Sequence, residues 1–251
     1  MTTSFLYGIH TLEMLFAKQP ERIVRLYMQV QRDEQTIQLF KQLAKQHAIP
    51  LELVSREKLD HLTQRASHQG VVAQCAMAKS LNEAALQVIL SELVAPAFFL
   101  ILDNIQDPHN LGACLRSAEA TGVHAVLAPK DKSVGLTSTV SKVACGAAEI
   151  VPFIQVTNLA RTLRDLKEHN IWIFGAAGEA KKSLYQADFT LSTAIVLGAE
   201  GAGLRRLTRE HCDELLHIPM YGAVSSLNVA VAAAVFLFEA VRQRGIDAAS
   251  P

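Results

Sequence analysis

The chain has 251 residues, half of them hydrophobic, with 24 basic and 24 acidic side chains and a net charge of zero. That length suits one large domain or a small domain beside a medium one, and the charge balance argues against a dedicated nucleic-acid coat protein. The longest unbroken apolar run, Val229 to Phe238, is far short of the roughly 18 residues that a bilayer span requires.

The opening stretch MTTSFLYGIHTLEML lacks the basic start and long apolar core of a secretory signal, so a cytoplasmic location is expected. Residues 1–78 hold nine Lys and Arg against seven Asp and Glu, and the remainder fifteen against seventeen, a slight tilt of the first part toward an acidic partner. Within it, RIVRLYMQV, IPLELV and GVVAQCAM read as strands, and DEQTIQLFKQLAKQH as a helix with Ile37, Phe40, Leu43 and Ala44 on one face. This is a compact α/β module. Residues 79–96 read as a connecting helix that Ser80 could cap and that stops before Pro96.

From residue 97 to residue 251 apolar strand-like runs alternate with helical ones. In order these are FFLIL, a helix over 111–121, HAVLA, a helix near 134–146, VPFIQV, a helix over 158–169, IWIFGAA, AIVLGAE, ELLHIP and a final helix. Strands apolar along their whole length predict a mostly parallel sheet with helices on both faces. Cys75, Cys114, Cys145 and Cys212 are widely spaced, with neither a CxxC pair nor a close histidine, and read as reduced, packed thiols.

Parallel sheets bind ligands beyond the carboxyl ends of their strands, and three such places stand out. In LDNIQDPHNLGACLRSAEATG, Asn110 can cap the next helix and Arg116 follows six residues later. Leu111, Leu115 and Ala118 share a face, and Gly112, Ala113 and Ser117 suggest close packing, a setting in which an arginine usually meets an anion. The alternative is a cap and a solvated arginine. In IVLGAEGAGLRRL a strand enters three glycines in a GxxGxG pattern that is neither a dinucleotide fingerprint nor a P-loop. Glu200 at its exit could pair with Arg116 or a ligand, or be a surface acid in a turn. In HIPMYGAVSSLNVAVAAAVFLFEA, Ser225, Ser226 and Asn228 precede an apolar helix, as capping alone would require or as a binding loop would.

Taken in this order, the three segments resemble the signature motifs of the SpoU family of RNA ribose methyltransferases, of the knotted SPOUT class. YGIHTLEMLF and HQGVVAQ resemble the family's small N-terminal substrate-binding domain. KVACGAAE and RRLTREHCDEL point within the family to enzymes that methylate a guanosine in the peptidyl-transferase loop of 23S rRNA. The resemblance implies an RNA substrate-binding domain over 1–78 and a methyltransferase domain over 97–251 with a C-terminal trefoil knot. It implies S-adenosylmethionine as cofactor, 23S rRNA as partner, no metal, and a homodimer through the last helix. Implied site residues are Asn110, Arg116, Glu200, Ser226 and Asn228, with cofactor contacts at Leu197, Gly198, Ile218, Met220 and Leu227. A guanidinium stays protonated in almost any protein site. Arg116 is therefore read as gripping a target phosphate and stabilising charge on the ribose oxygen, while the phosphate or solvent takes the proton. Asn110 would orient Arg116, Glu200 would fix its charge, and Ser226 with Asn228 would hold the nucleoside and the knotted loop. Arg22, Arg25, Lys41 and Lys45 are candidate phosphate contacts or an ordinary solvated face. Methylation of another rRNA or tRNA nucleotide, and a noncatalytic RNA-binding relative, are the alternatives. A nucleotide-dependent oxidoreductase would need a glycine-rich turn after the first strand of the sheet, where DNIQDPHNLG stands.

Overall fold

The computed structural model describes residues 3–30, 34–76, 78–94, 96–199 and 201–245. The chain forms two units, one of residues 1–79 with 145–150, the other of residues 80–144 with 151–251.

The first unit contains Thr3–Tyr7 (β1), Ile9–Lys18 (α1), Ile23–Gln29 (β2), Glu34–Gln46 (α2), Leu51–Val54 (β3), Arg56–Leu62 (α3) and Val71–Ala76 (β4). Its sheet has the order β1-β4-β2-β3, with β4 antiparallel to both neighbours and β2 parallel to β3. Side chains alternate between faces along a strand, and the two faces carry separate cores. Leu26, Met28, Val71, Ala73 and Cys75 pack with Leu12, Leu15 and Phe16 of α1 and Phe40 and Ala44 of α2. Tyr27 and Val72, one residue out of phase, pack with Leu59 of α3. The strands β2, β3 and β4 and the helix α2 lie where the apolar spacing places them.

The second unit begins with Glu83–Glu92 (α4), capped by Asn82 and not by Ser80, because the Asn82 side chain accepts from the amides of Ala84 and Ala85. Phe98–Asp103 (β5), Pro108–Ala120 (α5), Ala125–Pro129 (β6) and Ser138–Ala144 (α6) follow. The single helix expected near 134–146 does not form. Cys145 and Gly146 both adopt left-handed backbone, with φ of 50° and 94°, and the chain restarts as Ala147–Ile150 (α7), which belongs to the first unit. A Cβ on Gly146 would lie 2.5 Å from Thr11 Cγ2, so only glycine fits that positive-φ position. There Glu149 is buried and ion-paired with Arg22, which also donates to the Ala76 carbonyl.

Phe153–Val156 (β7), Leu159–Glu168 (α8), Trp172–Ala176 (β8), Lys182–Ser183 (β9), Thr193–Gly198 (β10), Arg206–His211 (α9), Glu214–His217 (β11) and Val229–Arg244 (α10) complete the chain. The sheet order is β7-β6-β5-β10-β8-β11-β9, and every recorded pairing is parallel. Strands β5 and β6 are buried at every position, as a sheet covered on both faces demands. Leu86 of α4 and Leu159, Leu163 and Leu166 of α8 pack on Phe99, Ile101, Leu127 and Val196. Helix α10 packs against α5 and β10. Its last turn is fastened by Arg244, which donates to the carbonyls of Ala97, Phe189 and Leu191 and lies 4.3 Å from the Phe98 ring centre.

Two outcomes follow from this packing. Gly112 on α5 faces α6 so closely that a Cβ would stand 2.7 Å from Val143 Cβ and 2.9 Å from the Val140 carbonyl oxygen. Alanine normally gains about 1 kcal/mol over glycine inside a helix, yet Gly112→Ala is expected to destabilise the protein by ~1–3 kcal/mol, measured by denaturant unfolding. The cysteines also differ from a uniformly packed set. Burial pushes the thiols of Cys75, Cys114 and Cys212 up to about 12, whereas Cys145 is exposed. Iodoacetamide at pH 8 is expected to label Cys145 first, with mass spectrometry of the folded protein as the check.

Candidate active site

The strand order reverses beside β5. From β5 the chain moves outward to β6 and β7, whereas β10 returns next to β5 and hands on to β11 across β8. The carboxyl ends of β5 and β10 therefore border the kind of crevice in which open parallel sheets hold ligands. A cavity of about 1190 Å³ opens on the β8 side of β10, at the ends of β10, β8 and β11.

The turn after β10 forms one wall. The Gly203 amide donates to the Ala199 carbonyl at 2.8 Å, and Gly201 and Gly203 have φ of +76° and +65°. A Cβ on Gly198 would fall 2.1 Å from the Gly203 carbonyl carbon and oxygen, so the turn folds back over a position that only glycine allows. Asp103, the last residue of β5 and fully buried, holds the far end of this turn. One carboxylate oxygen accepts from Arg205 Nε at 2.6 Å and the other from the Arg205 amide at 3.0 Å. Both residues escaped the reading of the sequence, although an acid closing the apolar run FFLILD was the available signal.

The segment after β11 forms the opposite wall. Its residues run without regular structure from 218 to 228, and Asn228 then caps α10 by accepting from the amides of Ala230 and Val231 at 2.9 and 3.4 Å. With Oδ1 engaged in the cap, Asn228 donates from Nδ2 to Asn110 Oδ1 at 2.9 Å. Asn110 is not the cap of α5. That place belongs to Asp107, which accepts from the His109 amide at 2.9 Å, and Asn110 stands within the first turn.

Of the ten residues singled out from the sequence, Leu197, Gly198, Ile218, Met220, Ser226, Leu227 and Asn228 line the cavity. Asn110 joins them through Asn228. Arg116 is exposed on α5, outside the cavity lining; at six residues along the helix it lies about 9 Å further along the axis than Asn110. Glu200 lies outside the described residues. Among the described residues no cluster of three or more His, Cys, Asp or Glu is placed to hold a metal ion, and no helix is long and apolar enough to cross a membrane.

Residues 97–238 match the SpoU rRNA methylase family, and residues 5–81 match the RNA 2'-O ribose methyltransferase substrate-binding domain. The chain belongs to the SpoU rRNA methylase family. It is 54% identical to the 23S rRNA (guanosine-2'-O-)-methyltransferase RlmB of Vibrio vulnificus strain CMCP6 over 97% of this chain and 98% of that one. Identity with the Escherichia coli K12 enzyme of the same name is 51%, over 96% of this chain and 99% of that one. The crystal structure of an RNA 2'-O ribose methyltransferase superposes with a TM-score of 0.72 at 27% identity, covering 97% of this chain and 90% of that one. AviRb from Streptomyces viridochromogenes, a SpoU methyltransferase crystallised with AdoMet, shares the fold with a TM-score of 0.73 at 22% identity, over 98% of this chain and 92% of that one.

The cavity of this SpoU chain fits an adenosyl group. Leu197, Ile218, Leu227 and Phe236 offer apolar surface for a flat base, and the lining glycines Gly178, Gly201 and Gly203 leave open space where side chains would otherwise project. Main-chain amides and carbonyls of such a turn can read a purine edge at close range. Gly198→Ala is expected to displace the turn and weaken binding of S-adenosylhomocysteine by roughly tenfold or more, read by calorimetry.

Proposed function

We propose that this protein transfers a methyl group from S-adenosylmethionine to the ribose 2'-oxygen of a guanosine in the peptidyl-transferase loop of 23S rRNA. One observation carries the reading: the glycine turn after β10 and the 218–228 segment wall one cavity, and Asn228 at its edge is bonded to Asn110 at the head of α5. The full-length likeness to RlmB enzymes supplies the substrate class.

When bound, S-adenosylmethionine supplies an electrophilic methyl on a sulfonium centre. The protein's own task is to align the ribose hydroxyl with that methyl and keep water away. Asn228 and Asn110 form a fixed polar edge, and Ser226 lies two residues before the cap, where it meets the nucleoside. Arg116 grips a target phosphate and stabilises negative charge developing on the 2'-oxygen, and the hydroxyl proton leaves to phosphate or solvent. Glu200 fixes the guanidinium charge. The cofactor is held by main-chain groups around Leu197, Gly198, Ile218, Met220 and Leu227. No metal enters this scheme. The domain over residues 1–78 reads the RNA around a splayed-out nucleotide, and the setting is the cytoplasm, where ribosomal RNA is assembled.

Two features of the architecture belong to the same reading. The 218–228 segment is taken as the crossing of a trefoil knot, in keeping with its position between β11 and α10 against the turn after β10. Helix α10 is taken as a homodimer face, because Val231 and Phe238, seven residues apart, leave about half of their surface exposed on a helix whose Ala233, Phe236, Leu237 and Ala240 are buried.

Incubating the protein with labelled S-adenosylmethionine and unmodified 23S rRNA, then mapping the methylated nucleotide, tests the function directly. Label on a base or on no rRNA at all overturns it. Arg116→Lys keeps the charge but loses the planar fork, and is expected to lower transfer by roughly 10- to 100-fold while leaving cofactor affinity unchanged. A fully active lysine variant refutes the phosphate-gripping role.

A further inference from the structure

Glu179 and Arg209 face the cavity from the side remote from α5. Glu179 follows β8 in a tight turn, in which the Ala180 amide donates to the Ala177 carbonyl at 3.1 Å, and the Ala177 amide ties that turn to the Leu216 carbonyl at 2.9 Å. Its carboxylate accepts from Arg209 of α9, and this bond holds the Glu179 carboxyl below the usual carboxylate range. The side chains keep 63% and 43% of their surface exposed, so the pair is accessible to a ligand. An exposed pair of this kind contributes little to stability.

Position in the sheet decides which part of a ligand the pair meets. The order β5-β10-β8 puts the end of β8 two strands, about 10 Å, from the end of β5, where Asn110 and the reacting methyl belong. A group after β8 therefore addresses the portion of the cofactor away from the target oxygen. An ionised carboxylate accepts hydrogen bonds and donates none. It suits two vicinal hydroxyls, and it does not suit a purine edge, which presents a ring-nitrogen acceptor beside its amine.

We propose that Glu179 binds the ribose 2',3'-diol of the cofactor, with Arg209 holding the carboxylate in position. This rests on the reading of the cavity as the S-adenosylmethionine site and assigns a side chain to a part of the ligand that the main-chain contacts leave aside. Arg209 Nη1 occupies one carboxylate oxygen, Oε1, from the α9 side, and the open space at Gly178 admits the sugar to the other face of the turn.

Calorimetry on the full chain, with S-adenosylhomocysteine and its 2',3'-dideoxy analogue as probes, tests this. The unaltered protein is expected to bind the diol form roughly 10- to 100-fold more tightly than the dideoxy form. E179Q is expected to lose most of that difference by weakening the diol form alone. R209K, which keeps the charge but not the fork, is expected to lose part of it. Thermal unfolding without ligand, unchanged in both variants, separates this from a structural effect. Equal weakening of both probes by E179Q, or of neither, overturns the diol assignment, as does an unaltered protein that does not distinguish them. If the unaltered protein binds neither probe, the cofactor reading of the cavity itself falls, a result distinct from loss of discrimination.

Discussion

The buried carboxylate of Asp103 is the constraint around which the carboxyl end of the large sheet is arranged. A charge with no exposed surface must be paired and hydrogen-bonded to persist, and the end of an all-apolar strand offers no partner of its own. Arg205 supplies both an amide and a guanidinium from the other end of the turn that leaves β10. The Gly201–Arg205 stretch of that turn is thereby pinned to the end of β5, and Gly198 lets Gly203 approach at a distance no side chain would permit. The cavity wall is thus a consequence of satisfying one buried charge.

Asn228 carries two loads at the opposite wall. Its Oδ1 closes the amide end of α10, and its Nδ2 reaches Asn110 on another helix. Helix α10 is apolar from Val229 to Phe238 and packs against α5 and β10, so the cap sets where it begins. Arg244 sets where it ends, by collecting carbonyls near the starts of β5 and β10. A helix fixed at both ends can hold a polar site at its head without stiffness in the preceding loop, and the cost of losing a cap, about 1 kcal/mol, is small beside the packing that keeps the helix in place.

Electrostatics in the first unit show why residue counts do not map a binding face. Arg22 and Arg25 were candidate phosphate contacts on sequence grounds. Arg22 is committed to Glu149 and the Ala76 carbonyl, and Arg25 to Glu52. The slight basic excess of residues 1–78 is thus partly consumed internally, and the acid that consumes Arg22 comes from more than a hundred residues further along the chain.

Periodicity determined most of the architecture, because apolar runs and amphipathic spacing are local properties of the chain. The parallel sheet with helices on both faces, the strands β2 to β8, β10 and β11, and helices α2, α4, α5, α8 and α10 were readable in this way, and the motif likeness indicated the family. Element ends were less readable. Asn82 and Asp107 displaced Ser80 and Asn110 as caps because several residues near each helix start could accept the same amides, and only the path of the chain selects one. The break at Cys145–Gly146 was invisible for a related reason: it depends on the close approach of Thr11, distant in sequence. Asp103 with Arg205 and Glu179 with Arg209 are partners 102 and 30 residues apart. Spacing along the chain could name acids and bases, but pairing requires strands β5, β8 and β10 to be neighbours, and strand adjacency is decided by the folded sheet.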